Sequence, residues 1–280
     1  MDIMTNKDTS LKTKLFVYGL LIFFALLYLG PFLWTLSSSF KHADAVFDWP
    51  FHLIPKDPTL QNYVKVFTTV PYGRWLFNSA FVTLTIVVSN LFLSSLAGYA
   101  FARIDFPGRD IIFMGLLGTM MIPGPVTIVP VFSLMSMLEW VNTYKALIFP
   151  GITGAFGIFL MRQFFQSIPM SLEDAARIDG LGRFGIWWRI VMPLAKPALG
   201  ALTIFTFMGQ WNNFMWPFLL TSTEDMFTLT VGMNAFKGQY RTLWNLVLTG
   251  SVLMAIPVII VFIIFQNYFI KGVSFSGIKG

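Results

Sequence analysis

The chain has 280 residues, of which 56% are hydrophobic and only 11% charged, under half the charged share of a typical globular domain, about 25%. With a mean hydropathy of +0.70, an ordinary soluble domain is excluded. The net charge of +6 then fits basic loops at a membrane surface and not a nucleic-acid partner, and the absence of cysteine excludes disulfides, thiolate metal sites and a cysteine nucleophile.

Six uncharged runs follow one another along the chain, at 15–40, 75–102, 111–138, 146–161, 197–223 and 242–270. About 20 apolar residues cross the hydrocarbon core as a helix. The expectation is an all-α polytopic membrane protein, one domain over 1–280, with six spans at about 15–38, 77–101, 111–134, 144–165, 198–220 and 244–270. The first run is too long for a signal peptide and no small-residue cleavage site follows it. Pro123, Pro125 and Pro130 interrupt the third run, either as a kink or as a break lining a pathway. The fourth run is the shortest and reaches spanning length if Arg162 snorkels at its end.

An N-terminus on the inside places 12 of the 19 Lys and Arg residues on the inner side, which the positive-inside rule favours. Both termini then face the cytoplasm, the longest inner segment is a loop over 166–197, and the tail 271–280 is inside as well. His42 and His52 share one outer loop and are too sparse for a metal site.

Within the inner loop, Ser171-Leu172-Glu173-Asp174 is a capping-box pattern that predicts a helix start. Leu172, Ala175, Ala176 and Ile178 give that helix a small apolar side, and Gly180 supplies its stop. Phe184, Trp187, Trp188 and Val191 then recur at helical spacing up to Pro193. Gly180-Leu181-Gly182-Arg183-Phe184-Gly185 spells the dinucleotide fingerprint, but neither the preceding strand nor the later acidic residue is there. A turn between two short helices is the better reading. Caps and membrane anchors account for the individual residues, whereas a small-residue face on an ordered inner loop suits docking into another protein.

In the fifth span Thr203, Thr206, Gln210 and Asn213 form one polar stripe at i+3 and i+4 steps; in the second, Asn90 and Ser94 share a face near Thr83. Two readings stand side by side: interhelical hydrogen bonds, worth about 0.6 kcal/mol each, or a neutral wall for a hydroxyl-rich solute, with Trp211 or a Phe stacking on its ring. No run contains Asp, Glu, Lys, Arg or His, which disfavours ion-coupled carriers. No phosphate-loop motif is present, so ATP belongs elsewhere.

Glu173-Asp174-Ala175-Ala176-Arg177-Ile178-Asp179-Gly180, followed by Ile190-Val191-Met192-Pro193, resembles the EAA loop of permease subunits in ATP-binding-cassette importers. Pro58-Thr59-Leu60-Gln61-Asn62-Tyr63, Asn78-Ser79, the stretch 97–109, Met121-Ile122-Pro123-Gly124, Ile168-Pro169, Trp211-Asn212-Asn213 and Gly277-Ile278-Lys279-Gly280 are similar in order to the carbohydrate-uptake, MalG-like group. The resemblance spans essentially the whole chain. It departs at Asp174, where the family has a second glutamate, and at Leu181, where it has a small residue.

The resemblance implies a heteromeric importer in the bacterial cytoplasmic (inner) membrane. Partners would be a second permease subunit, two copies of an ATPase subunit and an extracytoplasmic solute-binding protein, with a neutral sugar as substrate. ATP and Mg would sit on the ATPases; this chain would carry no cofactor and perform no catalysis. Coupling would run through Glu173, Asp174, Ala175, Ala176, Asp179 and Gly180, with Gly277, Lys279 and Gly280 of the tail as a second contact. Asn90, Thr206, Gln210, Trp211, Asn212 and Asn213 are the pathway candidates. The rival expectations are a permease of the same superfamily for another solute, and a self-sufficient channel.

Overall fold

The computed structural model describes residues 11–50, 52–238 and 242–274, with side chains to residue 268. In chain order its helices are α1 (Leu11–Ser38), α2 (Gln61–Thr69), α3 (Tyr72–Arg103), α4 (Arg109–Thr119), α5 (Gly124–Met137), α6 (Tyr144–Ile148), α7 (Ala155–Ser167) and α8 (Met170–Ile178). They continue with α9 (Arg183–Leu194), α10 (Lys196–Trp211), α11 (Met215–Leu220), α12 (Leu229–Gly232) and α13 (Trp244–Ser274). Among the described residues there is no strand, only one isolated bridge between Lys237 and Thr242.

Four helical segments are long and apolar enough to cross a membrane: Leu11–Ser38, Tyr72–Arg103, Tyr144–Ser167 and Trp244–Tyr268. Two bent pairs raise the number to six if each counts as one span: α4 with α5, meeting at 100°, and α9 with α10, at 79°. The first bend has a local cause. Pro123 is extended (ψ 133°) and precedes α5, whose first turn contains Pro125; a proline lacks the N–H the helix would need and pushes its predecessor out of helical space. The predicted third span is thus two helices at a steep angle.

The chain divides into two compact units, the first being Met1–Val70 with Ala235–Met254. Within it, the carboxamide of buried Asn62 acts as a tie. Its Nδ2 donates to the carbonyls of Ser39 (2.9 Å) and Lys41 (2.7 Å), and its Oδ1 accepts from Asn245 Nδ2 (2.8 Å). The Thr249 hydroxyl adds a bond to the Ser39 carbonyl at 3.2 Å. Buried carbonyls past the end of α1 are thereby satisfied by side chains.

The second unit, Pro71–Asn234 with Ala255–Gly280, holds both candidate sites. Its frame is the crossing of α3 and α7 at small residues. A Cβ at Gly98 would stand 2.7 Å from Met161 Cβ, and one at Gly157 2.5 Å from Ser94 Oγ and 2.8 Å from Asn90 Oδ1. Without Cβ atoms there, the backbones approach closely and gain packing that lipid would not supply. Tyr99, Met161, Phe165, Ala176, Trp187 and Leu202 then form one buried cluster joining α3, α7, α8, α9 and α10. Arg162 does not simply snorkel at the helix end: its guanidinium lies 4.1 Å from the Phe113 ring centroid and its Nε donates to the Phe101 carbonyl. A cation over an aromatic face is attracted there.

At the start of α3, Trp75 Nε1 donates to the Glu224 carbonyl (3.0 Å), Asn78 Nδ2 to those of Asp225 and Phe227 (both 2.8 Å), and Ser79 Oγ accepts from Leu229 N–H (2.7 Å). These bonds reach only main-chain atoms of the segment leading into α12 and of its first residue, so they position it whatever side chains it carries.

Candidate functional sites: a neutral cleft and a loop turn

A cleft of about 270 Å³ opens between α3, α7 and α10, lined by Asn90, Thr206, Gln210, Phe156 and Phe205 among others. A second, of about 420 Å³, lies beyond it and is lined by Thr127, Trp216, Gln210 and Asn213. Pro150, Gly151 and Gln210 line both, so the Gln210 carboxamide stands at the waist between them. Gly151 keeps that waist open: a Cβ there would stand 3.0 Å from Ile86 Cδ1 and 3.3 Å from Gln210 Nε2. Neither cleft is lined by an ionisable residue.

The polar groups of the first cleft have capacity to spare. Asn90 Oδ1 accepts from the Ser94 hydroxyl at 3.2 Å, while no hydrogen bond among the described residues engages Asn90 Nδ2, the Thr206 hydroxyl or the Gln210 carboxamide. Donors and acceptors of this kind hold an uncharged hydroxylated solute without attracting ions. Phe156 and Phe205 meet edge to face at 5.6 Å and supply the aromatic surface.

The remaining pathway candidates, and Thr203 of the polar stripe, divide. Thr203 is buried and bonded back to the Leu199 carbonyl. Asn213 lines the second cleft but its Oδ1 accepts from Trp216 N–H at 3.3 Å, supporting the first turn of α11. Trp211 is buried and stacked on Phe207 at 5.4 Å, and Asn212 is exposed with its Nδ2 on the Met208 carbonyl. Neither lines the clefts.

The loop turn is equally specific. α8 begins at Met170, with Pro169 before it and no side-chain cap, so the expected capping box of Ser171 and Asp174 does not form; the helix starts two residues earlier, directly after the proline, and Ser171 falls in the first turn. Asp174 instead pairs with Arg177 at 2.8 Å, both partly exposed. At the other end Gly180 is left-handed (φ +83°), Gly180 N–H donates to Arg177 O and Leu181 N–H to Ala176 O. This is the Schellman arrangement, which favours glycine at its left-handed position and an apolar residue directly after it. Leu181 packs against the buried cluster that contains Ala176, which gives the departure at Leu181 its reason. The G-x-G-x-x-G pattern is a helix stop followed by a helix start.

The two faces of α8 differ sharply. Glu173 and Ala176 are buried at 0% and 5% exposure, while Leu172, Asp174, Ala175, Ile178 and Asp179 are exposed. Of the expected coupling residues of the loop, Glu173 and Ala176 thus turn inward against this chain, and Asp174, Ala175, Asp179 and Gly180 are exposed. Glu173 accepts from Arg103 Nε at 2.6 Å and from the Tyr99 hydroxyl at 3.0 Å; Arg103 Nη2 donates to the Ile168 carbonyl at 2.6 Å. Neither Arg103 nor Tyr99 is a candidate in the sequence, although both fall in the 97–109 stretch that carries the resemblance. In α9, the helix shifts through a π turn over Trp187–Val191, which buries Trp187 and Val191 and leaves Phe184 and Trp188 exposed. Gly277, Lys279 and Gly280 lie outside the described residues.

A family model described as the binding-protein-dependent transport system inner membrane component matches residues 60–275. The arabinooligosaccharides transport system permease protein AraQ of Halalkalibacterium halodurans is 38% identical over 280 residues, covering 99% of this chain and 100% of the relative. The trehalose/maltose transport system permease protein MalG of Thermococcus litoralis is 32% identical over 279 residues, covering 98% and 99%. Among solved structures, a chain of a bacterial ABC transporter involved in the import of the acidic polysaccharide alginate superposes with a TM-score of 0.83 at 28% identity, covering 94% of this chain and 100% of that one. The chain belongs to the inner membrane component family of binding-protein-dependent transport systems, as an ABC transporter permease with several membrane helices.

Proposed function

We propose that this chain forms one half of the translocation pathway of an ATP-driven importer for a neutral sugar or oligosaccharide. The observation that carries the proposal is the uncharged cleft around Gln210, with unengaged polar groups of Asn90 and Thr206 and the aromatic pair Phe156 and Phe205 beside it. A polyhydroxyl solute must exchange water for protein hydrogen bonds, and a buried group left unpaired costs about 1–3 kcal/mol.

In this reading a second permease subunit supplies the opposite wall, and a solute-binding protein delivers the sugar from the outer side. The spans run with both termini in the cytoplasm of a bacterial cell, which the excess of basic residues in the inner segments supports. Two ATPase subunits hold ATP and Mg²⁺, one of them docking on the exposed face of α8 formed by Leu172, Asp174, Ala175 and Ile178; the tail 277–280 adds a second contact.

Uptake of arabinose, maltose and uronate oligosaccharides into proteoliposomes holding the complete complex tests the substrate class. Neutral oligosaccharides are expected to enter with ATP and the uronates to be rejected; uronate uptake without neutral-sugar uptake would sink the proposal. Sugar flux through the chain reconstituted alone would establish the self-sufficient channel instead.

A further inference from the structure

Glu173 belongs to a helix whose exposed face meets a partner in the proposed function, yet its carboxylate points the opposite way, with no exposed surface. It is held by two groups of α3, Arg103 Nε and the Tyr99 hydroxyl. Arg103 also holds the Ile168 carbonyl, so one guanidinium gathers the end of α7 and the start of α8 onto the last turn of α3. α3 has 32 residues and no proline inside, about 48 Å of continuous helix. Asn90 of the cleft sits on the same helix, and the segment before α12 is anchored at its far end.

We infer that Arg103 and Glu173 are positioning residues that lock α8 to α3, so that a displacement imposed on α8 reaches the cleft wall at Asn90 as a movement of α3. The inference rests on the proposed docking of an ATPase on α8, because that contact supplies the displacement. A buried ion pair adds little net stability over apolar packing, but separating it strands both charges in a medium of low dielectric. It therefore resists being pulled apart, whereas the small apolar contact of Ala176 could slide. Tyr99 adds a second bond that fixes the carboxylate's orientation.

The test uses the complete complex in lipid nanodiscs with Gly209→Cys, a cleft-lining position with open space around its Cβ, in a chain that has no cysteine of its own. The rate at which a methanethiosulfonate ethylammonium reagent labels this chain is compared with and without ATP, Mg²⁺ and vanadate. Trapping nucleotide is expected to change the rate in the parent and in Tyr99→Phe, which keeps the ion pair. The change is expected to vanish in Glu173→Gln and in Arg103→Gln, with the double variant no worse than either single one, as for two groups acting as one link. ATPase subunits should copurify undiminished with all of these variants.

A nucleotide-dependent rate that persists in either single variant, or is missing from the parent, would overturn the inference. So would loss of the ATPase from Glu173→Gln but not from Arg103→Gln, since Glu173 would then be a docking contact. Undiminished ATPase capture by Ala175→Trp and Ile178→Glu would overturn the docking reading itself, and the inference with it.

Discussion

Two clusters of polar side chains sit on α3, about 13 residues apart (Asn90 to Arg103), and they are finished in opposite ways. Around Arg103 and Glu173 both carboxylate oxygens and two of the three guanidinium nitrogens meet partners from distant parts of the chain, and the pair is almost wholly withdrawn from solvent. Around Asn90 and Gln210 the amides face a cleft and keep bonding capacity unspent. Buried polar groups are normally satisfied because leaving them unmet is costly. A saturated cluster therefore holds elements together, and an unsaturated one lining a cavity waits for a ligand. The contrast separates the polar residues of these membrane helices into two mechanical roles.

The comparison breaks most visibly at the saturated end. Glu173→Ala leaves the Arg103 charge buried without its partner, and removing one member of such a pair costs about 3–5 kcal/mol. Thermal unfolding of the purified complex should show a larger fall for it than for Gly98→Val, Asn213→Leu, Gln210→Leu or Asp174→Asn; an unchanged midpoint would mean the carboxylate is not held as described. Next comes Gly98→Val at the α3–α7 crossing. Its Cβ would press on Met161 Cβ and on backbone atoms of residues 158 and 162, and overpacking of this kind costs about 1–3 kcal/mol. The same unfolding measurement should register it.

At the unsaturated end the expected pattern reverses. Gln210→Leu removes no hydrogen bond within the described residues, so stability should stay within about 0.5 kcal/mol, while uptake by the assembled complex falls about ten-fold, as for 1.4 kcal/mol at the transition state. Asn213→Leu sharpens the distinction between the two amides. It loses the bond to Trp216 N–H, a capping contact worth about 1 kcal/mol, so its effect should appear in stability as well as in uptake. The smallest effect is expected for Asp174→Asn. Its pair with Arg177 is partly exposed and worth about 0.5 kcal/mol or less; the unfolding midpoint should barely move, and any loss of ATPase capture would then report docking.

The α8 region shows where local pattern stops being informative. Glu173 and Asp174 are adjacent acids of nearly equal chemistry, and nothing in the four residues around them says which turns inward. The choice is made by Arg103, 70 residues earlier in the chain, together with Tyr99 one turn before it. Trp211 and Phe205 pose the same problem: both are aromatic and both belong to α10, but Trp211 stacks on Phe207 while Phe205 lines the cleft. The phase of a helix about its own axis is set by what packs against it.

What the amino-acid sequence determined by itself are the features that one segment and its solvent decide. Long uncharged apolar runs partition into hydrocarbon, and there every backbone group must find its partner within the helix. Pro123 and Pro125 break α4 from α5, Gly180 ends α8, and the stripe from Thr206 to Gln210 follows from a 3.6-residue period; each is a local consequence of backbone chemistry. Tertiary structure alone decided which polar groups are spent and which are left open: the burial of Glu173, the corner made by Arg103, the service of Asn213 to α11 and the freedom of Gln210. Those outcomes depend on groups brought together from distant parts of the chain, and a hydrogen bond is made or missed over a few tenths of an ångström that no periodicity records.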